Sequence, residues 1–421
     1  MEARAQPQQA PIRDLTEESL RPIVTRAASA SATRPLKLAL VSCGLGNVRR
    51  GFEISTGRWY EALKDYPGLK VKLYCGGNYP GSELIFNIPR DLVMASPLSV
   101  FKPLNPRRYW EFCYGVEQIS FGLFYWMDLF LFEPDIVWTK EVPFGYFLPI
   151  YRKALGLKFK TIFANGGAFQ PQTYKDFDFI QHLTQESHDQ ALAAGIPAEK
   201  MTTLTNIIPF HKTDETRESI RHQLGYCQND YVVICVSAWN TYHKRLDYLI
   251  EEVAAIGDPS VKLLLCGHPD AETGALKELA RHKLGDRVRF ISLDERMLHR
   301  AMTAADVFVM ASINECLGNS IAEAVFAGLP VITHSHAASR FILGDNSEWI
   351  VDLQVKGNLS DRLLALRPDK GAGTRVQQQQ ERVSEAFGAR SLAPRFYEML
   401  KVLRDGAPSP HALEQKETPT R

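Results

Sequence analysis

Apolar residues along this chain fall in short runs, separated by stretches in which they recur every three or four positions. Leu36-Lys-Leu-Ala-Leu-Val-Ser, closed by Gly44, predicts a buried first strand. Val71-Lys-Leu-Tyr-Cys, Asp135-Ile-Val-Trp-Thr, Phe159-Lys-Thr-Ile-Phe-Ala, Phe179-Ile-Gln-His-Leu-Thr and Met201-Thr-Thr-Leu-Thr continue a first set. A polar break from His211 to Arg221 interrupts the pattern, which restarts at Tyr231-Val-Val-Ile-Cys-Val-Ser. Leu246, Leu249, Ile250 and Val253 then stand at i, i+3, i+4 and i+7, the spacing of a helix face. Val261-Lys-Leu-Leu-Leu-Cys, Val288-Arg-Phe-Ile-Ser, Val307-Phe-Val-Met-Ala and Pro330-Val-Ile-Thr predict the remaining strands.

Two successive strand–helix series predict an α/β chain with two Rossmann-like parallel-sheet domains, residues 36–210 and 211–388, facing across a cleft. Open α/β sheets bind ligands beyond the carboxyl ends of their strands, so that cleft is the expected site. Residues 1–35, rich in Ala, Gln, Pro, Ser and Thr, read as a mobile arm with a short helix near Leu15 to Val24. Residues 406–421 read as a flexible tail.

Composition narrows the classes. The length of 421 residues suits two or three domains, and 45% hydrophobic with 23% charged residues is globular usage. A net charge of +1 provides no global field for nucleic acid, so none is expected as a partner. The seven cysteines include no Cys-x-x-Cys, and most sit in apolar runs, which points to free thiols in a reducing cytoplasm. The first residues lack an apolar signal core. The most apolar stretch, Ile119 to Phe132, is too short to span a bilayer and contains Asp128, so no transmembrane helix is expected.

Candidate chemistry concentrates in Ala311-Ser-Ile-Asn-Glu315-Cys-Leu-Gly318-Asn-Ser-Ile-Ala-Glu323-Ala-Val-Phe-Ala-Gly328-Leu-Pro330. A strand ends near Ala311, a loop carries Glu315 and Gly318, and a helix capped by Asn319 or Ser320 begins. Its free amides and positive dipole end make a cradle for phosphate or sugar oxygens. Glu315 and Glu323 would accept hydrogen bonds from vicinal hydroxyls at two heights. Lys244 and Arg245, in His243-Lys-Arg-Leu after the first strand of the second half, either neutralise a diphosphate or form a solvated basic helix start.

In the first half, Gly44-Leu-Gly46-Asn-Val-Arg49-Arg50-Gly51 follows the first strand. Its spacing is not Gly-x-Gly-x-x-Gly and no acid ends the second strand, so a dinucleotide fingerprint is absent. Arg49 and Arg50 either meet phosphate from across the cleft or are surface arginines. Asn165-Gly166-Gly167 either faces a sugar or is a structural turn. The aromatic run Tyr109 to Phe132 is either core or a face for lipid or an apolar acceptor, with Arg107 and Arg108 at its edge. His243, His268, His334 and His336 fall near strand ends without metal-binding spacing, so no metal site is expected.

On the Glu315-x7-Glu323 spacing, Gly318, Gly328-x-Pro330-Val-Ile, Lys244 and Ala305-Asp306-Val-Phe-Val, the chain resembles the retaining GT-B glycosyltransferases of family 4. The resemblance is strong from about Tyr231 to Asp352 and weaker through the first half. It implies that Lys244 binds donor phosphates, Glu315 sits at the donor sugar, Glu323 binds the ribose, and backbone amides near Gly318 and Asn319 complete the site. It also implies that the first domain, including Gly44, Gly46, Arg49 and Arg50, binds the acceptor, and that a helix within 389–405 crosses back to that domain. Three positions depart from the family pattern: Ala238 where an Arg usually precedes the lysine by six residues, Asn165-Gly166 where a His is common, and Leu317 where an aromatic precedes Gly318. Arg245 is the candidate replacement for the missing Arg.

The expected activity is transfer of a hexosyl group, with retention, from a nucleotide-diphosphate sugar to a carbohydrate, lipid-linked or apolar acceptor, without cofactor or metal. The expected location is cytoplasmic, with peripheral contact at the inner face of the membrane. The alternatives are a sugar-nucleotide epimerase on the same fold and a catalytically degenerate sugar-nucleotide-binding protein, the latter favoured by Ala238 and Asn165.

Overall fold

The computed structural model describes residues 34–405 apart from 49, 102–105, 168, 271, 346 and 368–371. The predicted Leu15–Val24 helix, the tail after residue 405 and Arg49 lie outside the described residues.

The first half forms a seven-strand parallel sheet: β1 (Leu36–Ser42), β2 (Leu69–Cys75), β3 (Glu83–Leu84), β4 (Ile136–Thr139), β5 (Lys160–Asn165), β6 (Phe179–His182) and β7 (Met201–Thr203). Their order is β3-β2-β1-β4-β5-β6-β7. The second half forms a five-strand parallel sheet: β8 (Tyr231–Val236), β9 (Val261–Cys266), β10 (Val288–Ile291), β11 (Val307–Met310) and β12 (Val331–Thr333), ordered β10-β9-β8-β11-β12. All the predicted apolar runs became strands. The two-residue edge strand β3 was not foreseen; both its residues are exposed, so no apolar run announced it.

Both sheets are doubly wound. Strand order reverses between β1 and β4 in the first and between β8 and β11 in the second, and a crevice opens at such a reversal. The pairing registers Leu38↔Ile136 and Val307↔Val233 align the strands flanking each reversal. Each sheet is buried on both faces. Leu40, Leu73 and Trp138 pack on one face of the first sheet, Val41, Tyr74 and Phe163 on the other. Val232, Ile234 and Phe308 pack on one face of the second, Val233, Leu265 and Val309 on the other.

The last helix, Ala389–Asp405, lies on the first sheet although it follows the second. Leu392, Phe396 and Leu400 are fully buried there, and the Phe396 ring sits 4.4 Å from that of Trp59. The helix starts five residues before Pro394, so the proline lies inside it. From Leu36 onward the sheets and helices pack as one unit.

Candidate functional site

Lys244 and Glu315 are carried by the loops that leave β8 and β11, the two strands flanking the reversal in the second sheet. Asn240 shapes the first loop. Its buried side chain accepts from the amides of His243 (3.3 Å) and Lys244 (2.9 Å) and donates to Asp270 Oδ2 (3.0 Å). Lys244 Nζ then donates to Glu315 Oε1 at 2.5 Å, and His243 Nε2 lies 3.1 Å from the Asn314 carbonyl. The lysine and the carboxylate that the sequence placed in one cleft are therefore in contact.

Arg245 does not join them. Its backbone is left-handed (φ 50°), and its guanidinium donates to the carbonyls of Ala311 and Leu353 and stacks 4.3 Å from the Tyr248 ring. Carbonyl oxygens have captured the donors that the sequence had offered as a replacement for the missing arginine.

The loop ends at Gly318, whose φ of 66° makes it the cap of the helix Asn319–Phe326. The sequence favoured Asn319 or Ser320 as the cap. A left-handed residue was needed there instead, and glycine adopts it without Cβ strain. Asn319 Oδ1 is buried with no partner among the described residues. The first-turn amides of this helix follow Glu315 by only a few residues.

Glu323, one turn into that helix, is 6% exposed. Arg58, from the helix Gly51–Leu63 of the opposite domain, donates to its Oε1 at 2.7 Å and to Glu295 Oε2 at 3.2 Å. Glu295 Oε1 in turn meets His211 Nε2 at 3.1 Å, and the His211 amide donates to His299 Nδ1. Burial raises the Glu295 pKa, but Arg58 and His211 outweigh it and hold the carboxyl below its ordinary value. Glu323 thus faces the gap between domains, with an arginine from the far wall on it. Sequence reasoning missed Arg58, Glu295 and His211. An arginine in an amphipathic helix carries no sign of a partner 265 positions away.

His336 follows β12. Its Nδ1 accepts from the Ser339 amide at 3.0 Å, so the neutral ring carries its proton on Nε2, which is buried without a partner among the described residues. Burial pushes its pKa down to about 4, against the nearby Glu315 charge. It remains a neutral donor near the Lys244–Glu315 pair.

On the opposite wall, the loop after β1 carries Gly44 and Gly46. A Cβ on Gly44 would lie 2.3 Å from an Arg90 nitrogen, and one on Gly46 (φ 88°) 2.4 Å from the Gly77 carbonyl carbon. Both glycines are thus required by packing. Arg90 is held by Glu53 (2.8 Å) and Glu117 (2.6 Å), all three buried. Arg50 stacks over Trp110 at 5.7 Å, and its charge reaches the Tyr242 phenol of the other domain. Asn165 ends β5, where Nδ2 lies 3.5 Å from His182 Nδ1 and Oδ1 accepts from the Gly167 amide. Gly166 lies under Phe52, and a Cβ on it would be 3.5 Å from Lys140 Nζ.

Lys140 and Glu141, which the sequence reading passed over, leave β4 beside the reversal of the first sheet and are each 1% exposed. Lys140 donates to Asn206 Oδ1 at 3.0 Å; Glu141 accepts from the Cys43 amide at 2.8 Å. Burial brings both pKa values to about 7, down for the lysine and up for the acid. Among the described residues no cluster of His, Cys, Asp and Glu is arranged to hold a metal ion, and no helix is long and apolar enough to cross a membrane.

Residues 230–368 match the family model described as glycosyl transferases group 1. No curated protein sequence matches the chain. Among solved structures, the Anabaena protein Alr3699/HepE in complex with UDP and glucose is similar at TM-score 0.65 and 17% identity, over 87% of this chain and 99% of that one. Sucrose-phosphate synthase from Thermosynechococcus elongatus is similar at TM-score 0.69 and 17% identity, over 88% and 100%. A glycosyltransferase from Rickettsia africae is similar at TM-score 0.66 and 15% identity, over 88% and 99%. With two parallel-sheet α/β domains and these neighbours, the chain has the GT-B fold.

Proposed function

We propose that this chain is a glycosyltransferase that moves a hexosyl group from a nucleotide-diphosphate sugar to an acceptor, with retention at the anomeric carbon. The observation that carries the reading is the contact of Lys244 with Glu315 at the reversal of the second sheet, just before a helix N-terminus. The match of residues 230–368 to a glycosyltransferase family model supports it, as does UDP in a neighbour of the same fold.

Such a transfer builds positive charge on the sugar and negative charge on the departing diphosphate. Lys244 and the amides after Gly318 stabilise that negative charge, and fixed donors in a water-poor cleft do so strongly. Glu315 accepts from sugar hydroxyls and Glu323 from the ribose diol. In the ligand-free protein Glu315 neutralises Lys244; an arriving phosphate takes over that ammonium and leaves the carboxylate to the sugar. The acceptor lies against the first-domain wall between Gly44, Arg50 and Asn165-Gly166, and its apolar or lipid-linked character is suggested by the exposed aromatic surface of the same domain.

The test is acceptor-dependent release of nucleoside diphosphate from a sugar-nucleotide panel. Lys244→Ala should lower turnover about a hundredfold or more, the range for losing one charge-stabilising donor. Glu323→Ala should chiefly weaken donor binding. Wild-type turnover in both variants would reject these roles, and a new sugar nucleotide formed without acceptor would point to an epimerase instead.

A further inference from the structure

The helix Ala337–Leu343 is capped by His336, where Ser, Thr, Asp or Asn is the ordinary choice. One ring nitrogen makes the cap: Nδ1 accepts from the Ser339 amide at 3.0 Å, and the His336 amide donates back to Ser339 Oγ at 3.0 Å. A serine or asparagine would make the same contact. What histidine adds is a second nitrogen on the far side of the ring. Because Nδ1 accepts, the neutral ring carries its proton on Nε2. That N–H is buried and has no partner among the described residues. A buried donor without an acceptor is destabilising, and it points to a contact that the ligand-free protein does not make.

Topology sets the ring beside the loop that carries Glu315. β12 pairs with β11, Met310 opposite Thr333, so the chain leaving one strand runs alongside the chain leaving the other. Glu315 stands five residues beyond Met310, and His336 three beyond Thr333. The two segments are also tied together. Arg245 donates to the carbonyls of Ala311 and Leu353, and the Leu353 amide donates to His334 Nδ1 at 3.2 Å. Four ionisable side chains act on the His336 ring: Glu315, His334, Arg340 and Lys244. Lysine and arginine only donate, and His334 Nδ1 is already taken by Leu353. Of these four, the Glu315 carboxylate is the acceptor left for Nε2.

Glu315 has an oxygen to give. Both of its ion contacts fall on Oε1, with Lys244 Nζ at 2.5 Å and His243 Nε2 at 3.8 Å, and Oε2 takes part in neither. Once a phosphate takes over the lysine, the carboxylate loses its counter-charge, and a largely buried carboxylate then needs another donor.

We infer that His336 supplies it: as Lys244 turns to the diphosphate, the Nε2–H donates to one oxygen of Glu315 and leaves the other aimed at the sugar hydroxyls. His336 is thus a positioning residue that acts on the donor sugar through Glu315, and the inference rests on the proposed roles of Lys244 and Glu315. A neutral ring suits the task. An imidazolium would pair with Glu315 whether or not donor is bound, and burial holds the ring neutral, with its pKa down to about 4.

The experiment sets two substitutions against each other, read by calorimetry with UDP-glucose and by thermal melting. His336→Asn keeps an acceptor for the Ser339 amide and removes the Nε2–H. It should melt as wild type does, yet bind UDP-glucose about tenfold to a hundredfold more weakly, the span for one hydrogen bond to a charged group. His336→Gln gives up the cap but carries an amide N–H out to the place of Nε2. It should melt lower and recover most of the binding. In a Glu315→Ala background His336→Asn should cost nothing further, because the two groups act as a pair. A donor-free arm uses histidine labelled with nitrogen-15. Lys244→Met frees Glu315 without ligand, so the His336 Nε2–H resonance should move downfield, and adding Glu315→Ala should reverse the shift. No shift in Lys244→Met overturns the inference whatever donor the protein takes. The opposite order of the Asn and Gln variants, which a ring that only caps would give, overturns it too, as does an undiminished loss in the Glu315→Ala background. The shift with no UDP-glucose binding by wild type would support the pairing and count against the proposed donor alone.

Discussion

Glu323 is proposed to bind the ribose, yet in the ligand-free protein its Oε1 is held by Arg58. An arginine buried between two carboxylates keeps its charge, and here the pair raises its pKa against the cost of burial. Nucleotide must therefore either displace Arg58 or share Glu323 with it. If it displaces the guanidinium, Arg58→Ala tightens binding of UDP in calorimetry, by about tenfold for a 1.4 kcal/mol competing contact. Weaker UDP binding by Arg58→Ala would show that Arg58 orients the carboxylate instead. That Lys244 and Glu315 share one cleft was legible, because both sit in loops that leave strands at the reversal of the second sheet. Arg58 was not legible, because its meaning lies in a contact between domains.

Lys140 and Glu141 make a further residue-scale prediction. The Glu141 pKa is raised by burial to about 7, so folding takes up a proton between the ordinary carboxylate pKa and 7. Stability is then greatest at the acid end of that window and declines as pH rises to 7. The Lys140 pKa is lowered by burial to about 7, so folding releases a proton between 7 and the ordinary lysine pKa. Stability from this group rises with pH across that second window. Together they place a shallow minimum near pH 7 in urea midpoints. Glu141→Gln should flatten the acid limb and Lys140→Met the basic one; unchanged limbs would contradict the burial argument.

At the scale of elements, strands were easy to read and helix ends were not. Runs such as Tyr231-Val-Val-Ile-Cys-Val fit a sheet buried on both faces and little else, and β8 appeared where the run stands. The cap of the helix Asn319–Phe326 was misplaced by one or two residues, since a side-chain cap and a left-handed glycine compete for that turn. The aromatic run was left open between core and outward face. It is both, because the helix Pro106–Phe132 is apolar on two opposite sides. The loop after β1 permits a direct test. Gly46→Ala meets a left-handed φ and a backbone approach of 2.4 Å, so it should cost about 1–2 kcal/mol from the backbone alone, more with the clash, read as a lower denaturation midpoint.

At the scale of the molecule, two sheets with unlike strand counts share one plan: each gathers hydrogen-bonded polar groups where strand order reverses, Glu141 and Cys43 on one side, Lys244 and Glu315 on the other. The binary pattern announced both sheets. It could not announce how the domains touch, because Phe210, stacked on Phe326 and beside His299, and Arg58 owe their positions to folding of the whole. Phe396 tests that wholeness. It is fully buried against Trp59 and Trp138, and Phe396→Ala should cost about 3–5 kcal/mol, seen as a change in tryptophan emission on chemical unfolding that reports the first domain.

The homecoming of the helix Ala389–Asp405 has a consequence for synthesis. A ribosome delivers the first sheet early, but the hydrophobic groove over Trp59 and Trp138 stays roofless until nearly four hundred residues have emerged. The second sheet, wholly contiguous in the chain, can mature first, and the nascent first domain must wait beside it with aromatic surface bared. Nascent chains halted before residue 389 should accordingly be cut by protease in the earlier half and spared in the later one.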